Sequence, residues 1–222
     1  MKRQRTIVFA KAPRPGFAKT RLIPALGACG AAALARRMLA HTLAAALEAG
    51  TGTVELCATP AYEHPDWSSV DIPDGVDITA QGEGDLGARM ARAARRGLAR
   101  AEAVLLVGTD CAEMSATLLR GAAARLDEVD ALMHPTADGG YAVLGLARYD
   151  ACLFERIAWS TDTVAATTIG RLRTLGWPLH VGAALHDIDE PRDLVHLEIG
   201  RNPAPADRSA GQPRSSHRRY NW

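Results

Sequence analysis

The chain has 222 residues, 47% of them hydrophobic, and its 26 Lys and Arg against 25 Asp and Glu leave a net charge of +1. A globule of that length buries roughly 70–75% of its unfolded surface, and a near-neutral chain has no global field to attract nucleic acid or an acidic membrane, so any electrostatic function must be local. Cys29, Cys57, Cys111 and Cys152 are scattered, with no C-x-x-C pair and no secretory leader, which points away from disulfides and zinc and towards a cytoplasmic protein; no unbroken apolar run approaches the roughly 18–20 residues of a membrane span.

The first element is an apolar strand that ends in a basic loop, "IVFAKAPRPGFAKTRL" at 7–22, with Lys11, Arg14, Lys19 and Arg21 and no acid between Thr6 and Glu48. A helix follows at 30–49, where Leu34, Met38, Thr42, Leu43 and Leu47 share a face, then strands at 53–58 and 76–80, a helix at about 85–100 and the best strand, "AVLLVG", at 103–108. A helix at 115–127 capped by Ser115, strands at 130–134 and 141–146, a helix opening near Ser160 or Thr161 and a last strand at 179–186 complete the series. Such βα alternation predicts one domain with a mostly parallel central sheet between two helical layers, and in sheets of this kind ligands bind beyond the carboxyl ends of the strands. Residues 1–200 form that domain, and the Pro-, Ser- and Arg-rich stretch 201–222 reads as a disordered tail.

The loop after the first strand therefore sits at the ligand end. Pro13, Pro15 and Gly16 would stiffen it, and Lys11, Lys19 and Arg21 suit a polyphosphate, although the P-loop spacing is absent and a bare basic loop has the same composition. "VGTDC" delivers Asp110 past the strongest strand, where a carboxylate can hold a divalent ion against phosphate oxygens. In "HDIDEPRDL", Asp187 and Asp189 stand at i, i+2 and point to one side of an extended segment, while Asp193 belongs to the first turn of the following helix. "QGEGDLGARM" matches G-x-G-x-x-G through Gly82, Gly84 and Gly87; it reads either as a dinucleotide fingerprint or as a loop and helix start touching a base or ribose, with Gln81 offering donor and acceptor. "ADGGYAVLG" with Asp138, and "WST" at 159–161, are turns and caps or else hold a second substrate. Neither a metal-binding histidine pattern nor a G-x-S-x-G elbow occurs.

Taken in order, "KAPRPGFAKTRL", "GEGDLGARM", "VGTDC", "DGGYAVLG", "WST" and "DIDEPRDL" resemble one family, the predicted bacterial glycosyltransferases of the GT-A nucleotide-diphospho-sugar transferase fold, similar in turn to the 2-phospholactate and molybdenum-cofactor guanylyltransferases. The resemblance spans about residues 5–199 and implies a Rossmann-like three-layer sandwich. It implies Lys11, Lys19 and Arg21 on the nucleotide phosphates and Mg²⁺ or Mn²⁺ on Asp110, Asp187 and Asp189. It further implies Gln81, Asp85 and Gly87 near the base or ribose, and Gly140, Tyr141 and Trp159 with Asp138 towards the acceptor. The loop lacks the G-x-G-T-R opening of the wider superfamily, and Ala112 stands where proline usually follows "DC".

The expected activity is a transfer from a nucleoside triphosphate or nucleotide-sugar to a small acceptor, without nucleic acid or membrane. Lys19, Arg21 and Asp110 carry the catalysis. Three cations around one loop favour a triphosphate donor and nucleotidyl transfer to a phosphorylated acceptor, because pyrophosphate gains charge as it leaves. Glycosyl transfer, with Asp138 as base, is the alternative. An NAD-dependent oxidoreductase built on the 82–87 fingerprint leaves the basic loop unexplained, and a non-catalytic nucleotide module leaves the three acids without a role.

Overall fold

Alternate strand residues face opposite sides of a sheet, and this chain fills both sides with apolar groups, which requires a layer of helices on each. The computed structural model describes residues 2–198 and shows that arrangement. Seven strands are β1 Gln4–Lys11, β2 Gly52–Thr59, β3 Val76–Ala80, β4 Ala103–Val107, β5 Ala131–Pro135, β6 Tyr141–Leu146 and β7 Leu179–Val181. They lie in the order β3-β2-β1-β4-β6-β5-β7. Every pairing is parallel except those of β6 with β4 and β5, so the sheet is mostly parallel with one reversed strand.

The helices are α1 Ile23–Ala49, α2 Leu86–Leu98, α3 Ala116–Arg125 and α4 Val164–Thr174. Val8, Leu56, Leu105, Val107 and Val143 face the side that buries Leu39 and Leu43 of α1 and Leu119 of α3. Ile7, Cys57, Val104, Leu106 and Leu144 face the other, with Met90 and Ala93 of α2 and Leu172 of α4. This is the three-layer sandwich expected, and neighbouring residues of one strand feed separate cores.

Several boundaries differ from expectation for local reasons. Helix α1 begins at Ile23 instead of 30, with a break at Gly27, whose φ of 68° and ψ of 164° only glycine adopts without strain. The span Thr20–Ala49 is long and apolar enough to cross a membrane by length and composition, which a search for unbroken apolar runs misses because Arg36 and Arg37 interrupt it. In the fold it is a core helix, burying Leu34, Met38, Leu39, Thr42 and Leu43. Helix α4 starts at Val164, not at Ser160 or Thr161, because Ser160 is left-handed with φ 64°. Strand β7 covers only 179–181; within the rest of the expected 179–186 run Leu185 makes a single bridge with Thr136, and just beyond it Asp187 makes another with Cys111. The tail expected at 201–222 lies outside the described residues.

Candidate active site

A cavity of 620 Å³ opens where β1, β2 and β4 end, closed on its far side by β6 and the start of α4. Lys11, Arg21, Gln81, Asp110, Asp138, Gly140, Tyr141, Trp159, Asp187 and Asp189 line it, so most residues expected at a site converge on one space.

The acids meet through backbone pairing. After β4 the chain runs into Asp110, and the Ile188 N–H donates to the Asp110 carbonyl at 2.8 Å beside the Cys111–Asp187 bridge. Ile188 is fully buried among Leu22, Leu34 and Ala112. Strand alternation then turns Asp187 and Asp189 together towards the cavity, as their spacing predicted. The Asp187 carboxylate accepts from the Cys111 thiol at 2.9 Å. Burial, with Asp110, Asp138 and Asp189 nearby, pushes the Asp187 carboxyl up to about 6 even though that thiol bond acts in the opposite direction. Burial and Asp110 also raise Asp189, against the pull of Lys19 and Arg21.

The four cations of the first loop divide. Lys11 is exposed at the end of β1 and donates to the Phe17 carbonyl at 3.2 Å; Arg21 is exposed in the short 3₁₀ turn Thr20–Leu22. Arg14 faces away, pairing with Asp66 at 3.2 Å and lying 3.8 Å over the Phe17 ring. Lys19 departs from its expected role. Its backbone is left-handed at φ 45°, its side chain is only 5% exposed, and its ammonium donates to Asp110 at 2.7 Å, to the Ile188 carbonyl at 2.7 Å and to Asp189 at 3.5 Å. In this state it ties the two acid segments together and does not line the cavity; Lys11 and Arg21 are the cations left facing it.

The glycine-rich loop is braced from α2. Arg89 donates to the Gly84 carbonyl at 2.9 Å, and Arg92 holds the carbonyls of Gln81 and Glu83. Asp85 and Gly87 are not in the cavity wall. The Asp85 side chain caps α2 by accepting from Ala88 N–H at 2.8 Å, placing a carboxylate where a dinucleotide fold would put pyrophosphate. Gly87 is buried, and a Cβ there would come within 2.3 Å of the Phe154 carbonyl and 2.7 Å of the Trp159 indole nitrogen, so its job is to seat Trp159. Gln81 does line the cavity, but its amide donates to the carbonyls of Ala10 at 3.2 Å and Cys57 at 2.9 Å, and its oxygen, which already accepts from Arg89 at 3.5 Å, is all it has to offer.

On the far side, Asp138 Oδ1 accepts from Thr136 Oγ1 at 2.5 Å and Gly140 N–H at 3.0 Å, an Asx turn. Gly139, at φ 90°, packs so tightly that a Cβ would stand 2.1 Å from the Asp162 carbonyl. The turn thus docks on the segment before α4, and Asp138, Tyr141, Trp159 and Asp162 form one wall. Asp162 gave no sequence signal, because only that docking brings it in.

Carboxylates of this kind fit a hard divalent cation, and the Lys19 ammonium between Asp110 and Asp189 marks where positive charge is already held. Among the described residues no three His, Cys, Asp or Glu side chains are grouped closely enough to cage a metal. The donor set suits an ion that takes one or two carboxylates and completes its shell with phosphate oxygens and water.

A solved structure provisionally named as a nucleotide-diphospho-sugar transferase, from Desulfovibrio desulfuricans, is 27% identical to this chain, with a TM-score of 0.80 over 87% of this chain and 85% of that one. Rv0371c from Mycobacterium tuberculosis, solved with manganese, is 18% identical with a TM-score of 0.57 over 88% and 97% of the two chains. The 4-diphosphocytidyl-2C-methyl-D-erythritol synthase of Anaerococcus prevotii shares 12% identity and a TM-score of 0.58 over 90% and 97%. The last two likenesses are of fold alone. No curated protein is matched by the sequence. The GT-A-like fold and the transferase class anticipated from the motifs are those of these neighbours. A family model described as an uncharacterised protein conserved in bacteria matches residues 42–161, more than half of the chain, and the protein belongs to that family, DUF2064.

Proposed function

We propose that the protein is a divalent-metal-dependent transferase that takes a nucleotide-diphospho-sugar as donor. The observation that carries this reading is the convergence of Lys11 and Arg21 with Asp110, Asp187 and Asp189 on one cavity at the carboxyl ends of the strands. Lys11 and Arg21 would grip the diphosphate oxygens, Arg21 through a planar fork that spans two of them. Asp110, with one of Asp187 and Asp189, would hold Mg²⁺ or Mn²⁺, the rest of its shell being phosphate oxygens and water, and the ion when bound would neutralise charge on the departing phosphate. The hydrophobic side of Leu86 and Met90 and the Gln81 oxygen flank the space left for the base.

The charge count favours a diphosphate donor. Three free cations would favour a triphosphate, but Lys19 is held by Asp110 and Asp189. Two cations and one metal match a diphosphate, and the structure at 27% identity carries a nucleotide-diphospho-sugar transferase name. Nucleotidyl transfer from a triphosphate is the second reading; the shared fold of the cytidylyl-transferring synthase supports it, and release of Lys19 to the phosphates would restore its third cation.

The test incubates the protein with Mg²⁺ or Mn²⁺, a panel of nucleotide-sugars and a panel of triphosphates, with small hydroxylated and phosphorylated acceptors. Acceptor-dependent release of nucleoside diphosphate from a sugar donor is the expected result. Pyrophosphate release from a triphosphate would establish the second reading, and metal-independent indifference to all nucleotides would end both.

A further inference from the structure

The cavity is electrically lopsided. Both of its cations, Lys11 and Arg21, come from β1 and the turn after it, whereas the wall made by the turn before β6 and the segment before α4 carries Asp138 and Asp162 and no Lys, Arg or His. Tyr141 and Trp159 give that wall its apolar surface. Asp138 uses Oδ1 for its own turn, and its Oδ2 accepts no hydrogen bond among the described residues. The indole Nε1 of Trp159 is buried against Gly87, outside the cavity wall, so the ring presents only apolar surface to the cavity. A free carboxylate oxygen beside an apolar face matches a hydroxyl, which can donate to it.

From this arrangement, and resting on the transferase reading above, we propose that the acceptor is an uncharged or cationic hydroxyl compound bearing no phosphate or carboxylate, and that Asp138 Oδ2 takes its proton. A phosphorylated acceptor would bring like charge against Asp138 and Asp162 with no cation on that side to offset it. It would also need no base, since a phosphate oxygen is already anionic, whereas a hydroxyl must lose a proton as it attacks. In the step, the acceptor oxygen bonds to the anomeric carbon of the donor while the bond from that carbon to the diphosphate oxygen breaks. The bonding pair leaves with the nucleoside diphosphate, and the hydroxyl proton passes to Asp138.

The test presents acceptors in matched pairs, glycerol with glycerol 3-phosphate and glucose with glucose 6-phosphate, with glucosamine as a cationic member. Binding is read by saturation-transfer NMR on full-length protein loaded with Mg²⁺ and a nucleoside diphosphate, and turnover is read by nucleoside diphosphate release. The unphosphorylated or cationic member should be favoured by about 100-fold in low salt, and Asp162→Asn, at an exposed position that leaves folding intact, should narrow the gap by about tenfold. Asp138→Asn should lower turnover at low pH less than at neutral pH while acceptor binding persists. Equal or better binding of the phosphorylated member overturns the proposal, as does contact with neither member of any pair. Failure of the protein to bind any nucleotide with metal would instead remove the transferase reading on which it rests.

Discussion

Two charged regions on strands β1 to β3 show opposite designs. Under α2, Arg5 pairs with Glu55 at 2.5 Å and Asp77 at 2.6 Å, Thr79 donates to Glu55 at 2.6 Å, and Arg96 closes on the same carboxylate. Glu55 is fully buried, yet Thr79, Arg96 and Arg5 together outweigh its burial and hold its carboxyl below the usual range. Two cations face two anions there, so the charge is balanced. The cavity beyond the strand ends instead sets Lys11 and Arg21, with Lys19 held behind Asp110 and Asp189, against five acids, Asp110, Asp138, Asp162, Asp187 and Asp189, and its Asp187 is pushed up to about 6. Charge that folding has balanced is costly to break, and charge left unbalanced in a cleft is available to a ligand.

The sharpest way to break this contrast is to disturb each region alone. Glu55→Ala strands the Arg96 guanidinium and leaves Arg5 only Asp77, and removing one partner of a buried pair costs about 3–5 kcal/mol, so thermal denaturation should show a fall of about 10 °C or more while surviving folded protein binds nucleotide normally. A fall of only a degree or two would mean that the network is incidental. Asp110→Asn should do the reverse. Asp110 is half-exposed but is the nearest anion to the buried Lys19 ammonium, so its loss should cost only about 1–2 kcal/mol, whereas metal-dependent turnover should drop about 10²–10³-fold, with calorimetry showing nucleotide affinity no longer sensitive to metal. Unchanged metal dependence would remove Asp110 from the site.

The balanced region was invisible in the sequence, and the unbalanced one was largely legible. Asp110, Asp187 and Asp189 follow strands, so βα order alone carries them to the ligand end. Arg5, Glu55, Thr79 and Arg96 sit inside elements, and only strand register and the docking of α2 bring them together. The surprises at the site have the same origin. Lys19 and Gln81 reach the expected end of the sheet, but spacing does not reveal that Ile188 presents a carbonyl to one or that β1 and β2 present carbonyls to the other. Asp85 and Gly87 belong to a motif whose glycines serve packing, and Asp162 has no motif at all.

Arg21 and Lys19 sharpen the contrast further, since one cation faces the cavity and the other is held by the acids. Arg21→Ala should weaken nucleoside diphosphate or nucleotide-sugar binding by about 10–100-fold, leave binding of the bare nucleoside alone and not move the melting temperature. Lys19→Met should cost stability, about 1–2 kcal/mol given that both of its acid partners are half-exposed, and should raise affinity for Mn²⁺ in the absence of nucleotide because an ammonium no longer competes for Asp110 and Asp189. If the two variants behave alike in both measurements, the division of the loop cations is wrong.

The smallest expected effect is a pH dependence, and it tests the unbalanced region without removing any of its cations. Asp187 has its carboxyl raised by burial and by Asp110, Asp138 and Asp189, from an unfolded value near 3.9 to about 6. The folded chain therefore holds that proton more tightly than the unfolded chain does. Its stabilising contribution is complete below about pH 4 and is lost as pH rises through 6. Metal-free protein should lose stability relative to Asp187→Asn across that window, by about 1–2 kcal/mol after allowance for solvent, and the difference should be flat above it. A bound divalent ion competes with the same proton, so with Mn²⁺ and nucleotide present the slope should reverse, the native protein gaining on the variant as pH rises. Denaturation midpoints of the two proteins at pH 4 to 8, with and without Mn²⁺ and nucleotide, give the comparison, and a slope of the same sign in both series would show that Asp187 answers only to its protein neighbours.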